Sequence, residues 1–427
     1  DISQIKSSPS DTGITDPDKI EEHFNEYFVN IGDSLASKIH HEQGSFMDYM
    51  NQTKVKHKNC MFLLPTDPLE ISSIVRDLKP NKSAGHDEIS PKVVKAVIDI
   101  LAKPLAEIFN ISLSTGVFPD NLKIAKVTPV FKADNKQLMS NYRPISVLPI
   151  FSKVLEKVMY TRLISFINKE NILSENQFGF RDKHSTYMAL INIIDKISDQ
   201  LDKNNFTLGV FIDLSKAFDT INHEILLTKI EYYGIRGNVK HWLSNYLSNR
   251  KQFVQIKSSK SQLLPITCGV PQGSILGPLL FILYINDIVN VSSLCNIIMF
   301  ADDTNIFFND NTLMNLENRT NQELVKISRW FKLNKLSLNV KKTNFIIFRT
   351  KIKSINSDIK LFIDNVPITQ VKETKFLGII INESLNWSSH MHAVKLKVMK
   401  SLGVIRRIKQ NVPLYVLRML YFTLIQP

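Results

Sequence analysis

The chain has 427 residues, 44% of them hydrophobic, which is length for about three domains of ~150 residues and ample material for a large core. Its net charge of +13 and pI near 9.4 point to a polyanionic partner, nucleic acid first and an anionic membrane second. The cations are scattered, which fits a basic channel through a folded body better than a disordered arm. Three distant cysteines, Cys60, Cys268 and Cys295, exclude a disulfide framework or a structural zinc site and fit a reducing, intracellular compartment. The polar start holds no signal-peptide core, and no apolar run reaches the ~20 residues of a bilayer span.

In chain order, residues 1–60 carry no recognisable chemistry and read as a partly flexible N-terminal connector. It is loose over Ser7 to Asp18 and helical from Pro17 to Ile39, where Ile20, Phe24, Tyr27, Phe28, Ile31 and Leu35 recur at helical spacing. A second helix is expected from Asp67-Pro68 to Leu78. The loop Lys79 to Asp87 offers backbone N–H groups and cations that suit phosphate, although its spacing alone favours an ordinary turn. Val127 to Lys132 and Asn141 to Ser146 read as strands that display Lys132 and Arg143. A point charge beside a planar fork could hold a triphosphate, although two exposed cations need no such ligand. A helix follows from Phe151 to Asn168. In the loop Gln177 to Thr186, Phe178 and Arg181 suit a single strand held by stacking and phosphate contact, or a loop anchored by its aromatics. Ser185 to Leu201 is again helical.

Phe206 to Leu214 reads as a buried strand with Asp213 at its end, a place where packing explains a carboxylate poorly. Phe218 is either a core aromatic or a bulk that crowds the sugar 2′ position of a bound nucleotide. Asp219 is expected to cap a helix from Ile221 to Tyr233, which Gly234 ends. Gln252 to Ile256 should pair with Leu263 to Val270. Pro271-Gln272-Gly273-Ser274 then opens an apolar helix from Ile275 to Val289. Gly273 permits close approach, Gln272 offers an amide, and the helix N-terminus would favour phosphate; a plain loop and cap explain the same residues.

Asn296 to Phe308 is a pair of β-prone runs around a turn that carries Asp302 and Asp303. Adjacent acids at a tight tip repel, and a hard divalent cation suits them; a solvated Asp-Asp turn is the plainer alternative. If the Asp213 strand lies beside this hairpin, three carboxylates meet, as two-metal phosphoryl transfer requires. Further on, Thr312 to Asn334 reads as an amphipathic helix. Lys342 could act as general acid toward a leaving pyrophosphate or simply stand in solvent. Leu361 to Ile381 reads as β structure, and a basic helical pattern runs from Trp387 and stops abruptly, as in a piece of a longer polyprotein.

Three of these stretches, in this order, resemble one family. Val210 to Asp219, Gly269 to Pro278 and Phe300-Ala301-Asp302-Asp303 resemble the first catalytic box, the Pro-Gln-Gly box and the Phe-Ala-Asp-Asp box of reverse transcriptases of non-LTR (LINE-type, jockey-like) retrotransposons. The resemblance runs from about Lys79 to Ile381. It implies an RNA-directed DNA polymerase of α+β class with a right-hand fold: fingers over 61–202, a palm with an antiparallel sheet over 203–385 and the start of a helical thumb over 386–427. It implies that Asp213, Asp302 and Asp303 are catalytic and hold Mg²⁺ (Mn²⁺ possible), and that Lys132, Arg143, Phe218, Gln272 and Gly273 meet the nucleotide. Phe178 and Arg181 would touch template, and Lys375, Leu377 and Gly378 fall in a stretch similar to the primer grip. A Lys-Thr pair placed as in the family makes Lys342 the candidate acid. The implied partners are an RNA template, a DNA primer or target and dNTPs, with no membrane, in nucleus or cytoplasm. One rival is an inactive or co-opted copy that binds RNA or DNA without polymerising, against which the three intact acids count. Another is a maturase or an RNA-synthesising polymerase, against which Phe218 and the Phe-Ala-Asp-Asp box count.

Overall fold

The computed structural model describes residues 4–6, 11, 13–40, 42–51, 59–350, 352–353 and 359–426. Most of the stretch expected to be loose around Ser7 lies outside the described residues. The chain divides into two compact units, the first from 1–185, 213–304 and 323–339 and the second from 186–212, 305–322 and 340–427.

In the first unit, the strand Ile124–Phe131 pairs antiparallel with Tyr142–Val147 and parallel with Arg250–Ile256. The latter continues antiparallel to Ser259–Lys260 and Leu264–Ile266. Strand alternation turns Ala125 and Val127 inward, and the helix Pro17–Ala36 lays Ile20, Phe24 and Phe28 against them beside Tyr142 and Val254. Much of the expected connector is therefore a core element, because one apolar stripe of its helix has a sheet to bury it. Polar ties reinforce it: Asn25 Nδ2 donates to the Gln262 carbonyl at 2.8 Å, and Glu22 accepts from Gln262 N at 2.7 Å.

Helix Pro68–Asp77 begins where the sequence places it, with Asp67 accepting from Leu69 and Glu70 N–H groups at 2.8 and 2.9 Å. The 25-residue helix Pro91–Thr115 has no counterpart in the sequence reading, although Ser90 caps its start and Gly116 at φ 74° ends it. Leu276–Ile285 is buried on every side and tightens into the 3₁₀ turn Asn286–Asn290, so the expected helix to Val289 stops early. Beneath it lies a buried ion pair. Lys229 Nζ donates to Asp287 Oδ1 at 2.5 Å and to the Tyr284 carbonyl at 2.7 Å, and Asp287 Oδ2 accepts from Trp330 Nε1 at 3.0 Å.

In the second unit, the all-buried strand Phe206–Ile212 pairs antiparallel with Asn344–Phe348, with Leu208 opposite Ile347 and Val210 opposite Phe345. Gly209 lets this sheet close up, since a Cβ there would stand 2.9 Å from the Phe307 ring. The short strand Thr369–Gln370 adds in parallel to Asn344–Phe348. The helices Ser388–Ile408 and Leu414–Leu424 have no buried residue. Among the described residues, no helix is long and apolar enough to cross a membrane.

Candidate active site

Asp213 follows directly on the strand Phe206–Ile212. Its carbonyl accepts from Asn339 N at 2.9 Å, and Ser215 N donates to the Ser337 carbonyl at 2.9 Å. Asp302 and Asp303 stand at the turn between the strands Asn296–Phe300 and Asp303–Asp310. The turn forces Ala301 to φ 57°, uncommon for a residue with a Cβ. That conformation is held from outside. The fully buried Gln177 offers Oε1 to Ala301 N at 3.1 Å and to Gly179 N at 2.8 Å. Phe178 N donates to the Met299 carbonyl and Met299 N to the Asn176 carbonyl, each at 2.9 Å. Gly179 makes this approach possible, because a Cβ there would meet Ala301 N at 2.2 Å. In the sequence, Gln177 is marked only as an amide just ahead of a Phe-Gly-Phe turn in a loop.

Asp302 and Asp303 are exposed to solvent, yet walls of protein around them strip away enough water to matter. Burial, then the charges of Asp302 and Asp213, push Asp303 up to about 6, with Lys132 pulling the other way. Burial also raises Asp302. A backbone hydrogen bond, Arg143 and Lys132 oppose that rise, and Asp213 adds to it. Asp213, Asp302, Asp303, Lys132 and Arg143 thus share one electrostatic neighbourhood. The sheet register explains the cations. Arg143 pairs with Val130, and Lys132 N donates to the Asn141 carbonyl at 2.9 Å, so both side chains leave one face of adjacent strands.

Among the described residues, no three His, Cys, Asp or Glu side chains are gathered closely enough to hold an ion as they stand. The donor set fits a hard divalent ion nonetheless: it is all carboxylate, it reaches solvent, and burial followed by mutual repulsion raises two of its members, which a bound cation would offset.

Beside the acids, Phe218 is half-buried and stacks on Phe281 at 4.6 Å between centroids, with Phe180 edge-on at 6.1 Å. The Phe218 carbonyl accepts from Val270 N at 2.9 Å, which draws the Gln272 loop alongside. Gly273, at φ 122°, lies so close to the strand Tyr142–Val147 that a Cβ would meet the Ser146 carbonyl at 2.5 Å.

Two expectations here are overturned. Asp219 caps no helix: Asn222 caps His223–Tyr232, and the Asp219 carboxylate takes the Gln272 side-chain amide instead. The N-terminus of Leu276–Ile285 does not await a phosphate, because buried Glu156 already accepts from Ile275 N at 2.6 Å and Leu276 N at 3.3 Å.

In the loop after Gln177, Phe178 is 7% exposed and serves as an anchor, while Phe180 is 48% exposed and faces outward. Arg181 spends Nη1 on the Ser174 and Gln177 carbonyls at 2.7 and 3.1 Å. Lys342, Lys375, Leu377 and Gly378 belong to the second unit. Lys342 is exposed at the head of Asn344–Phe348. Leu377 and Gly378, at φ 46° and 92°, form the tip of the hairpin Glu373–Phe376/Ile379–Asn382, with Lys375 exposed on its first strand.

A family model described as reverse transcriptase (RNA-dependent DNA polymerase) matches residues 130–381. The chain belongs to the reverse transcriptase family. The three boxes that carry the family resemblance all fall within the match. The chain is similar to the probable RNA-directed DNA polymerase from transposon X-element of Drosophila melanogaster, 28% identical over 349 residues, or 79% of this chain and 37% of that protein. It is 29% identical over 361 residues to the corresponding protein from transposon BS of the same species, covering 80% and 39%. It is 26% identical over 352 residues to the RNA-directed DNA polymerase from mobile element jockey of Drosophila funebris, covering 79% and 38%. The chain therefore spans less than two fifths of the length of these relatives.

Proposed function

We propose that this chain is the polymerase portion of a non-LTR retrotransposon protein, which copies an RNA template into DNA from a primer 3′-OH. The observation that carries the reading is that Asp302 and Asp303 lie within the electrostatic reach of a third acid, Asp213, and of Lys132, with Arg143 acting on Asp302 as well. In-line attack on a triphosphate needs both kinds of charge. Mg²⁺ or Mn²⁺ held by Asp213, Asp302 and Asp303 would supply Lewis-acid activation of the attacking hydroxyl and offset charge on the leaving group.

The chain's own residues do the rest. Arg143 grips triphosphate oxygens with its planar fork and Lys132 with a point charge. Phe218, backed by Phe281, fills the space a ribose 2′-OH would need. Gly273 lets the nucleotide pair approach the backbone beside Gln272. Lys342 gives a proton to the departing pyrophosphate, and Lys375, Leu377 and Gly378 hold the primer. In this reading 61–202 are fingers, 203–385 palm and 386–427 the start of a thumb, and the setting is intracellular, as the reaction implies.

Primer extension on an RNA template with dNTPs and Mg²⁺ tests the proposal, with wild type run beside Asp302→Asn/Asp303→Asn. Extension by wild type that vanishes in the variant is expected. A folded wild type that binds RNA without extending would sink the polymerase reading in favour of an inactive, nucleic-acid-binding copy.

A further inference from the structure

We propose that Asp219 is a positioning residue for nucleotide selection: its carboxylate fixes which end of the Gln272 amide is left to meet the nucleotide, and locks Gln272 to Phe218. The inference rests on the polymerase reading of the site. Gln272 Nε2 donates to Asp219 Oδ1 at 2.8 Å and to Oδ2 at 2.9 Å. A carboxylate only accepts, so it admits only the NH₂ end of the amide. The carbonyl end is what remains, and Gln272 meets its ligand as an acceptor.

The surroundings make this a fixed arrangement. The peptide carbonyl of Gln272 accepts from Ser146 N at 2.7 Å, so backbone and side chain are held independently. The two loops are joined along their length, with Val270 N donating to Phe218 O at 2.9 Å, Gly269 N to Ile221 O at 2.8 Å, and Cys268 Sγ to Asp219 O at 3.4 Å. Gly269, at φ 80°, admits Asp219 closely, since a Cβ would stand 2.8 Å from its carbonyl. Asp219 directly follows Phe218, so the tie spans the sugar-facing aromatic and the amide.

The charge itself needs explaining. Burial pushes the Asp219 carboxyl up to about 6, against the Gln272 hydrogen bond and the Lys216 ammonium. Lys216 donates to the Ser140 and Tyr142 carbonyls at 3.1 and 2.8 Å, Tyr27 and Cys268 feel the Asp219 charge, and Arg250 lines the same pocket as Asp219. A half-buried carboxylate held away from much of its water costs stability. Asn or Ser would join the loops as well, but either would accept both ends of an amide. Only an acid makes the orientation unique.

The test is a double-mutant cycle in primer extension with wild type, Asp219→Asn, Gln272→Met and the pair, reading KM for dNTP, kcat, and the preference for dNTP over rNTP. Each single variant is expected to raise KM on the order of tenfold with a smaller change in kcat, and to weaken the dNTP preference. The pair should be no worse than Gln272→Met alone. Effects that multiply in the pair, or an Asp219→Asn variant with wild-type KM, would overturn the proposal. Circular dichroism monitors folding, and Asp219→Ser replaces Asp219→Asn in the cycle if the latter does not fold. A wild type that extends no primer sinks the polymerase reading; the dNTP-induced rise in melting temperature of the same four proteins then decides the Asp219 tie by the same criterion.

Discussion

Asp303→Asn is expected to stabilise the metal-free protein while it abolishes extension. In the folded chain, burial and the charges of Asp302 and Asp213 lift Asp303 from 3.8 to about 6. Between about pH 4 and pH 6 the folded state keeps a proton that the unfolded chain has lost, so stability is greatest below that window and falls as pH rises through it. A lift of about two units amounts to about 3 kcal/mol before screening. The side chain is exposed, and solvent screening brings the figure down to about 1 kcal/mol. Asparagine has nearly the same shape and no charge, so it removes this penalty near neutral pH. For a chain of this size the gain is a rise of about 1 °C in Tm. Calorimetry in EDTA at a series of pH values measures it, and the advantage should shrink as pH falls through the window. Mg²⁺ should then raise the Tm of wild type more than that of the variant, because an ion bound to the folded state stabilises it by mass action. A variant that melts below wild type in EDTA at neutral pH, or whose advantage ignores pH, would refute the reasoning.

Two further outcomes follow from other parts of the fold. Lys229→Met leaves the Asp287 carboxylate buried with the Trp330 indole as its remaining side-chain donor, and should cost about 3–5 kcal/mol in urea unfolding. Lys229→Met/Asp287→Leu should recover most of that loss, and a single variant as stable as wild type would contradict the ion-pair account. Phe218→Ala opens the space beside Phe281 and should raise incorporation of rNTP relative to dNTP by about tenfold in primer extension, a ratio that stays unchanged if Phe218 serves packing alone.

Much of the acidic site was legible because short-range rules govern it. Apolar, β-prone runs on either side of Asp302-Asp303 mark the hairpin, and a buried run ending in Asp213 marks the strand end. Lys132 and Arg143 share a face by antiparallel register, which two strands joined by one loop largely determine. What was hidden depends on distant partners. Nothing local announces that Ile124–Phe131 lies parallel to Arg250–Ile256, or that Asn344–Phe348 completes the sheet beside Phe206–Ile212. Asp219 looked like a cap because it precedes a helix, but Asn222 sits one residue before His223 and takes that position, which frees Asp219 for a loop fifty residues away. Glu156 gave no sign that it would fill a helix terminus 119 positions on. Such pairings are fixed by tertiary packing, which propensity and periodicity do not encode.

The single oxygen of Gln177 serves N–H groups on two separate pieces of chain, one at Gly179 and one at Ala301. It works as a rivet with no slack. The outward-facing Phe180 rides on one side of it and the acidic turn on the other. Pressure on that loop from a strand lying across it is passed to Ala301, whose left-handed backbone has little freedom to absorb the movement, and so to the carboxylates next in sequence. In the polymerase reading proposed above, a badly stacked template would slow the reaction by displacing the acids, before any contact at the base pair itself was lost.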